Sequence, residues 1–271
     1  MERAQVDGIA LEYWAAGRGE PVVCIHGAFV ADAFRPLLGE PGLAERYRLI
    51  AYHRRGYAGS GRGPGPVGVA RQATDCRALL RHLGMARAHV VGHSLGGCIA
   101  LQLALDTPEV VHSLALLEPA LMVGASAQSY RASLVWSAQR YREAGATVVV
   151  DEALRARWPT YRDDLDRVLP GASARAVADA AAVFDIDVGM LEWDFGEAGA
   201  RRIAHPALVV RGEASPALHP RFEETYRLLR AWLPNAEGFV LPGAAHGLQM
   251  QNPRGLAAAL ASFFARHPLP A

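Results

Sequence analysis

The chain has little of what disulfide-bonded and metal-dependent proteins need. Its 271 residues contain three cysteines, Cys24, Cys76 and Cys98, which lie far apart in apolar sequence. An odd number at this spacing argues against a disulfide framework and predicts buried, reduced thiols. The ten histidines form no H-E-x-x-H motif, so we expect no metal ion at the functional site.

Excess charge and long apolar runs are also scarce. The 28 basic and 27 acidic residues leave a formal net charge of +1, without the basic excess of proteins that bind nucleic acid or anionic membranes. No apolar run reaches the ~18 residues of a membrane span, and residues 1–5 lack the apolar run of a signal peptide. We therefore expect a cytoplasmic monomer or homodimer that acts on a small molecule, without nucleic-acid or membrane partners.

Short apolar segments that favour strands alternate with helical segments through the first part of the chain. The strand-like segments cover residues 21–25, 48–52, 88–91 and 111–117, and the helical patterns cover residues 34–47 and 69–83. This alternation predicts an α/β fold, in which a mostly parallel, doubly wound sheet is joined by right-handed crossovers.

The alternation stops in the middle of the chain. Residues 120–204 are rich in Ala, Arg, Trp and Asp and predict helices without strands, and strand-like sequence returns at Pro206. We interpret residues 1–119 and 205–271 as one core, with residues 120–204 as a helical cap inserted into it. The whole chain then forms one structural unit.

A G-x-S-x-G pentapeptide occupies residues 92–96. A β-prone segment precedes it and a strong helix former follows it, and this strand-turn-helix context is typical of a nucleophile elbow. Glycine on both sides permits a sharp turn that a residue with a Cβ would resist. Ser94 is therefore the predicted nucleophile.

A serine hydroxyl needs a base and a stabilised oxyanion to react. His246 follows the last predicted strand, so it lies at the carboxyl edge of a parallel sheet, where the elbow also lies. For the oxyanion hole, we expect the backbone N–H groups of Leu95 and of Phe29, which follows the strand at residues 21–25.

Together these residues resemble the α/β-hydrolase fold superfamily over nearly the whole chain. The motifs that carry the resemblance are His26-Gly27, Arg55-Gly56-x-x-x-Ser60, the pentapeptide around Ser94, and Gly243-x-x-His246. The resemblance implies a hydrolase that needs no cofactor. A serine at the elbow argues against the epoxide hydrolase and haloalkane dehalogenase branches, which place aspartate there.

The acid of the expected triad is missing from its usual place. In the resembling family it follows a late strand in a pattern like Gly-x-x-Asp-Pro, and here Ser215 stands in that position. We predict Glu118 instead, because it ends the strand after the nucleophile helix and keeps the chain order Ser-Glu-His. Glu213 is the first alternative, Asp185 and Asp187 are others, and a triad without an acid remains open.

These residues predict a serine-dependent hydrolase that cleaves a carboxylic ester or related acyl compound through a Ser-His-Glu triad and an acyl-enzyme. An apolar substrate is expected to contact Phe29, Leu95, Trp136, Trp158 and Trp193. Two other interpretations stay open. One is a carbon–carbon bond hydrolase, lactonase or cyclase that acts on a natural-product or aromatic intermediate. The other is a catalytically weak ligand-binding protein on the same fold.

Overall fold

A single mixed sheet organises the residues that the computed structural model describes, which are residues 1–270. Its eight strands are β1 (Glu2–Val6), β2 (Ile9–Ala16), β3 (Glu20–Ile25), β4 (Tyr47–Tyr52), β5 (Ala88–His93), β6 (Val111–Leu117), β7 (Ala207–Gly212) and β8 (Ala236–Leu241). They lie side by side in the order β1-β2-β4-β3-β5-β6-β7-β8.

Strand direction follows the pattern expected from the sequence. β1 and β2 form an antiparallel hairpin, β2 pairs with β4 in the antiparallel sense, and all other neighbours are parallel. The turn of the hairpin uses Asp7 and Gly8, which have φ angles of 43° and 86°. Positive φ at both central turn residues suits the right-handed twist of the two strands. The predicted α/β fold with a mostly parallel sheet is confirmed.

Helices connect the strands and cover the sheet. Those of the sheet layers are α1 (Arg35–Leu38), α2 (Pro41–Ala44), α3 (Val69–His82), α4 (Leu95–Asp106), α10 (Ser215–Leu218), α11 (Arg221–Trp232), α12 (Leu248–Gln251) and α13 (Pro253–Arg266). Between β6 and β7 lie α5 (Ala127–Ala144), α6 (Ala146–Arg155), α7 (Tyr161–Val168), α8 (Ala172–Ala178), α9 (Glu197–Ala200), a π-helical turn at Ala182–Ile186 and a 3₁₀ segment at Asp187–Glu192.

The sheet is buried on both faces. Along β3, Val23 and Ile25 face a cluster that contains residues of α3, α4 and α11, while Val22 and Cys24 face residues of α1, α2 and α13. Alternate residues of a strand point to opposite faces, so a strand covered on both sides reads as one continuous apolar run. This explains why residues 21–25 contain no polar side chain.

The predicted helix over residues 34–47 is wrong in detail. The structure has two single-turn helices there, and Tyr47 is the first residue of β4. Gly39 ends the first turn and Pro41 begins the second. Proline lacks the N–H that a continuous helix needs and its ring collides with the preceding turn, so the helix must restart at this position.

The helical segment between β6 and β7 packs over the loop that follows β3. Its buried residues form a third apolar cluster together with Phe29, Val30 and Ala33 of that loop. This contact places the helices above the carboxyl edge of the parallel strands. Within residues 1–270, no helix is both long and apolar enough to cross a membrane.

Candidate active site

Ser94 sits in a strained turn between β5 and α4. Its φ is 53° and its ψ is −119°, a combination that residues with a side chain rarely adopt. The turn is held by the Ser94 N–H, which donates to the Leu117 carbonyl at 2.9 Å. A Cβ on Gly96 would lie 2.0 Å from the Ile25 carbonyl oxygen, so only glycine fits at this position.

Three side chains from different strand ends meet at this turn. The His246 Nε2 lies 3.2 Å from the Ser94 Oγ, and the His246 Nδ1 lies 2.6 Å from the Glu118 Oε2. The second carboxylate oxygen of Glu118 accepts the backbone N–H of Gly212 at 2.8 Å. Glu118 follows β6 directly and is 4% exposed. The structure therefore joins Ser94, His246 and Glu118 in one hydrogen-bonded chain.

The other acids considered from sequence lie away from His246. Glu213 accepts the backbone N–H of Gly243 at 2.9 Å in an exposed loop. Asp185 pairs on the surface with Arg62. Asp187 pairs with the buried Arg54. None of these three carboxylates is within hydrogen-bond distance of the His246 ring in the described part of the chain.

Ser215, which occupies the family's usual acid position, is fully buried beside Glu118. Burial raises the pKa of Glu118 above its ordinary value of 4.5, and the Ser215 hydroxyl and the Gly212 N–H oppose that rise. Ser215 thus contributes to the environment of the carboxylate instead of supplying it.

Burial also lowers the pKa of His246 well below its ordinary value of 6.5, and the cations of Arg221 and Arg157 add to this effect. The His246 side chain is therefore neutral at pH 7 and can accept a proton. His93, whose pKa burial lowers to about 3, holds the loop in place because its Nε2–H donates to the His246 carbonyl at 2.8 Å. Its position inside the pentapeptide gave no signal of this role.

The two amides predicted for the oxyanion hole border the same space. Leu95 is the first residue of α4, where the N–H has no partner within the helix. Phe29 has a φ of 71°. Within residues 1–270, the backbone N–H groups of Leu95 and Phe29 donate to no other protein group. A Cβ on Gly27 would lie 2.8 Å from the Ser94 Cβ, so glycine is what lets the loop after β3 approach the serine.

A buried arginine that the sequence did not single out holds this loop. Arg54 donates from Nε to the His26 carbonyl and from Nη2 to the Gly27 carbonyl, each at 3.0 Å. Both Nη atoms also bind the carboxylate of Asp187, at 2.7 and 2.8 Å. Tyr57 adds a hydrogen bond of 2.6 Å to the same carboxylate. Because Asp187 belongs to the helical segment between β6 and β7, this network links that segment to the loop beside Ser94.

We expect Asp187→Asn to lower the free energy of unfolding by about 3–5 kcal/mol, because it leaves the buried Arg54 cation without its counter-ion. For a chain of this size, that loss corresponds to a Tm roughly 6–20 °C lower. Urea and thermal unfolding measure both quantities. Asp185→Asn is the matched control: its pair with Arg62 is 49% exposed on both sides and should contribute less than 1 kcal/mol. Equal effects of the two substitutions would contradict the structural role of Asp187.

Two cavities reach the serine. The first, which we call the serine cavity, is bordered by Phe29, Ser94, Leu95, Phe184 and Met190 among others. The second, the histidine cavity, is bordered by Ser94, His246, Trp158, Leu165 and Met250 among others. Both are mainly apolar.

The predicted contact residues divide between site and periphery. Phe29 and Leu95 border the serine cavity and Trp158 borders the histidine cavity. Trp136 is 55% exposed and borders neither of these two cavities, although it borders a third one beside Arg157 and Arg221. Trp193 is not brought to the site, because its indole stacks on Phe195 and donates to Gln102 at 2.6 Å. Spacing along a helical segment does not say which aromatic side chains point inward, so the sequence alone missed this division.

The sequence also matches a known protein family. A family model of the alpha/beta hydrolase fold matches residues 20–253. The chain belongs to the alpha/beta hydrolase family. The resemblance stated from sequence motifs is thus confirmed, and membership places the chain among hydrolases while leaving the substrate undefined.

Relatives of this alpha/beta hydrolase have varied activities. It is 29% identical to the dihydrolipoyllysine-residue acetyltransferase component of the acetoin cleaving system of Pseudomonas putida, covering 98% of this chain and 70% of that protein. It is 37% identical to a putative carbamate hydrolase of Azorhizobium caulinodans over 108 residues, which cover only 40% of each chain. The aligned part is thus well under two thirds of the second relative.

Solved structures agree with the fold. A thermophilic esterase from Thermogutta terrifontis superposes with a TM-score of 0.85 at 22% identity, covering 99% of this chain and 100% of the esterase. The enol-lactonase from Burkholderia xenovorans superposes with a TM-score of 0.81 at 21% identity, covering 97% of this chain and 100% of that chain. At such identities the likeness establishes the fold alone.

Proposed function

We propose that this alpha/beta hydrolase cleaves a carboxylic ester or related acyl compound by covalent serine catalysis. The observation that carries the proposal is the hydrogen-bonded chain from Ser94 through His246 to Glu118, with distances of 3.2 and 2.6 Å. A nucleophile, a base and a group that orients the base are the parts that acyl transfer requires. The varied hydrolases among the relatives agree with this class of reaction.

In the first half of the reaction, the Ser94 Oγ attacks the substrate carbonyl while its proton passes to the His246 Nε2. The Glu118 carboxylate holds the Nδ1–H and stabilises the imidazolium that forms. The N–H groups of Leu95 and Phe29 donate to the oxyanion of the tetrahedral intermediate. Its collapse releases the alcohol, which takes the proton from His246 and leaves Ser94 acylated.

Water completes the cycle. His246 removes a proton from a water molecule as its oxygen attacks the acyl carbon, and the acid product leaves when Ser94 regains that proton. We propose that the helices between β6 and β7 act as the cap of the site and that Trp158, with Phe29 and Leu95, contacts the apolar part of the substrate. No step requires a cofactor.

Carbon–carbon bond hydrolysis is a second candidate, favoured by one observation. Such chemistry needs polar groups of the cap that face the serine, and Arg157 borders both cavities that reach Ser94. Lactone hydrolysis would follow the same steps as ester hydrolysis. A catalytically weak binding protein is less favoured, because the Glu118 Oε2 lies 2.6 Å from the His246 Nδ1, so a carboxylate is available to the base although position 215 holds serine.

Covalent labelling tests the proposed function. We expect a fluorophosphonate probe to add stoichiometrically to the peptide that contains Ser94, because the probe reacts only with an activated serine hydroxyl. Intact-mass spectrometry and peptide mapping measure the adduct, and Ser94→Ala should abolish it. Hydrolysis of p-nitrophenyl hexanoate should be lost on labelling. If Ser94 stays unlabelled in folded protein that binds an acyl ligand, the chain is a binding protein instead.

A further inference from the structure

Two arginines near the candidate site have no acidic partner. Arg221 begins α11 and Arg157 follows α6, and neither lies within salt-bridge distance of a carboxylate in the described chain. The side chain of Arg221 is also without a hydrogen bond: the residue is only 5% exposed, yet its Nη1 is buried and unpartnered. The rings of Tyr130 and Phe222 lie 4.3 and 4.0 Å from this guanidinium and offset part of the cost of burying it. They supply no acceptor for Nη1, so a ligand that does would be bound favourably there.

The two side chains border a third cavity, which we call the arginine cavity. It lies between α5, α6 and the start of α11, with Tyr130, Arg157, His219 and Arg221 among its borders. Its volume is about 270 Å³, against about 70 Å³ for the serine cavity. The arginine cavity therefore has room for a polar group and its hydration.

Its balance of charge favours an anion. One carboxylate borders the cavity, that of Glu152; its Oε1 pairs with Arg140 at 3.3 Å and its Oε2 has no partner, so two guanidinium groups face one carboxylate there. Arg157 instead donates to a backbone carbonyl, that of Ala153, at 2.7 Å. The guanidinium groups of Arg157 and Arg221 thus keep donors available, and a planar guanidinium can bind both oxygens of a carboxylate.

The arginine cavity adjoins the candidate active site, and the two share bordering residues. Arg157 borders the arginine, serine and histidine cavities, and its guanidinium lies 5.6 Å from the ring centre of Phe29. The guanidinium of Arg221 lies 4.0 Å from the ring centre of Phe222, which in turn lies 4.9 Å from that of His246. The two arginines thus lie at the border of the space that contains the reacting serine.

We propose that Arg157 and Arg221 bind a carboxylate of the substrate, so that the acyl compound cleaved at Ser94 carries a negative charge at the end of an apolar chain. This inference rests on the proposed function and names its substrate class. The binding also has a chemical consequence. The two cations oppose the protonation of His246, and a substrate carboxylate placed between them would offset that opposition as the imidazolium forms.

Matched pairs of esters test the proposal. The mono-p-nitrophenyl esters of succinate, glutarate and adipate are compared with p-nitrophenyl butanoate, pentanoate and hexanoate, and spontaneous hydrolysis is subtracted with the Ser94→Ala protein. We expect kcat/KM to favour the charged ester at least 10-fold at one chain length. Arg157→Gln and Arg221→Gln should each lower that ratio roughly 10-fold or more, since each removes a charge-assisted hydrogen bond.

Exposed arginines near the same helices provide the controls. Arg155→Gln in α6 and Arg227→Gln in α11 change the net charge equally, and we expect the ratio to stay within 2-fold of wild type. The Arg221 cation is buried without a carboxylate, so relief of that cost should offset the loss of its contacts with the rings of Tyr130 and Phe222. We therefore expect Arg221→Gln to leave the Tm within about 4 °C of wild type, and thermal unfolding checks this. A wild-type ratio at or below one for all three chain lengths would overturn the proposal, as would a ratio that neither cavity substitution changes.

A binding measurement separates this proposal from the proposed function. Titration calorimetry with adipate uses the Ser94→Ala protein, which cannot turn over. Adipate binding that Arg221→Gln weakens at least 10-fold supports the carboxylate site even if no ester is hydrolysed, in which case only the esterase proposal fails. Ester turnover without charge preference and without adipate binding removes the carboxylate site and leaves the esterase proposal intact.

Discussion

Replacement of Ser94 by alanine should lower kcat for p-nitrophenyl hexanoate by roughly 10⁵–10⁶-fold. The substitution removes the atom that forms the acyl-enzyme, so His246 has no hydroxyl to activate. The amides of Leu95 and Phe29 remain, and their stabilisation of an oxyanion should leave a rate about 10³–10⁴-fold above that of water. Steady-state kinetics with highly purified protein measure the loss. A loss below 10-fold would place hydrolysis at another site.

The backbone at Ser94 gives this substitution a second readout. At a φ of 53° and a ψ of −119°, any Cβ is strained, so Ser94→Ala retains the strain and Ser94→Gly relieves it. Both variants should be equally inactive, but Ser94→Gly should have a free energy of unfolding about 1 kcal/mol higher than Ser94→Ala. Urea unfolding of the two proteins decides this. Equal or reversed stabilities would mean that the turn stores no strain at the nucleophile.

The parts of the site that sequence could predict are those encoded locally. Residues 88–105 contain the strand, the glycines and the helix that create the elbow, so the neighbours in sequence determine the turn at Ser94. Glu118 and His246 could be located because each follows a strand, and parallel strands bring their carboxyl ends to one edge. The hairpin at Asp7 and Gly8 is local in the same sense.

Contacts between distant residues account for what sequence could not predict. Arg54 and Asp187 are 133 residues apart. In the sequence, each looks like an ordinary charged residue of a loop or helix. Their pairing depends on how the inserted helices pack over the sheet. No local sequence pattern encodes that packing. The same holds for Arg221, whose significance lies in the absence of an acceptor for its Nη1. Trp193 shows the reverse case: the sequence suggests a contact residue, and in the structure its indole packs against Phe195.

Replacement of Glu118 by glutamine should lower kcat by roughly 10³–10⁴-fold. Glutamine keeps the shape of the side chain, but it removes the charge that stabilises the imidazolium, and its amide can present a donor to Nδ1 and so select the wrong tautomer of His246. Kinetics with p-nitrophenyl hexanoate measure the loss, and fluorophosphonate labelling should slow in parallel.

Ser215→Ala is the matched control for Glu118→Gln. The hydroxyl of Ser215 lies beside the same carboxylate but carries no charge, so we expect its removal to lower kcat by less than about 10-fold. Comparable losses in the two variants would contradict the assignment of Glu118 as the triad acid. Near-UV circular dichroism of both proteins would exclude a general loss of packing as the cause.

A compensating variant separates the charge of Glu118 from its place in the fold. The combined Glu118→Gln and Ser215→Asp protein returns a carboxylate to the position where the family usually has it, next to the carboxyl group that now binds the His246 Nδ1. If the relay needs only a carboxylate on that side of the ring, kcat should recover at least 10-fold relative to Glu118→Gln alone. Recovery would mean that a carboxylate at the end of β6 (position 118) and one at the start of α10 (position 215) can serve the same function. No recovery in a folded protein would mean that the relay also depends on the orientation that the Gly212 N–H imposes on Glu118.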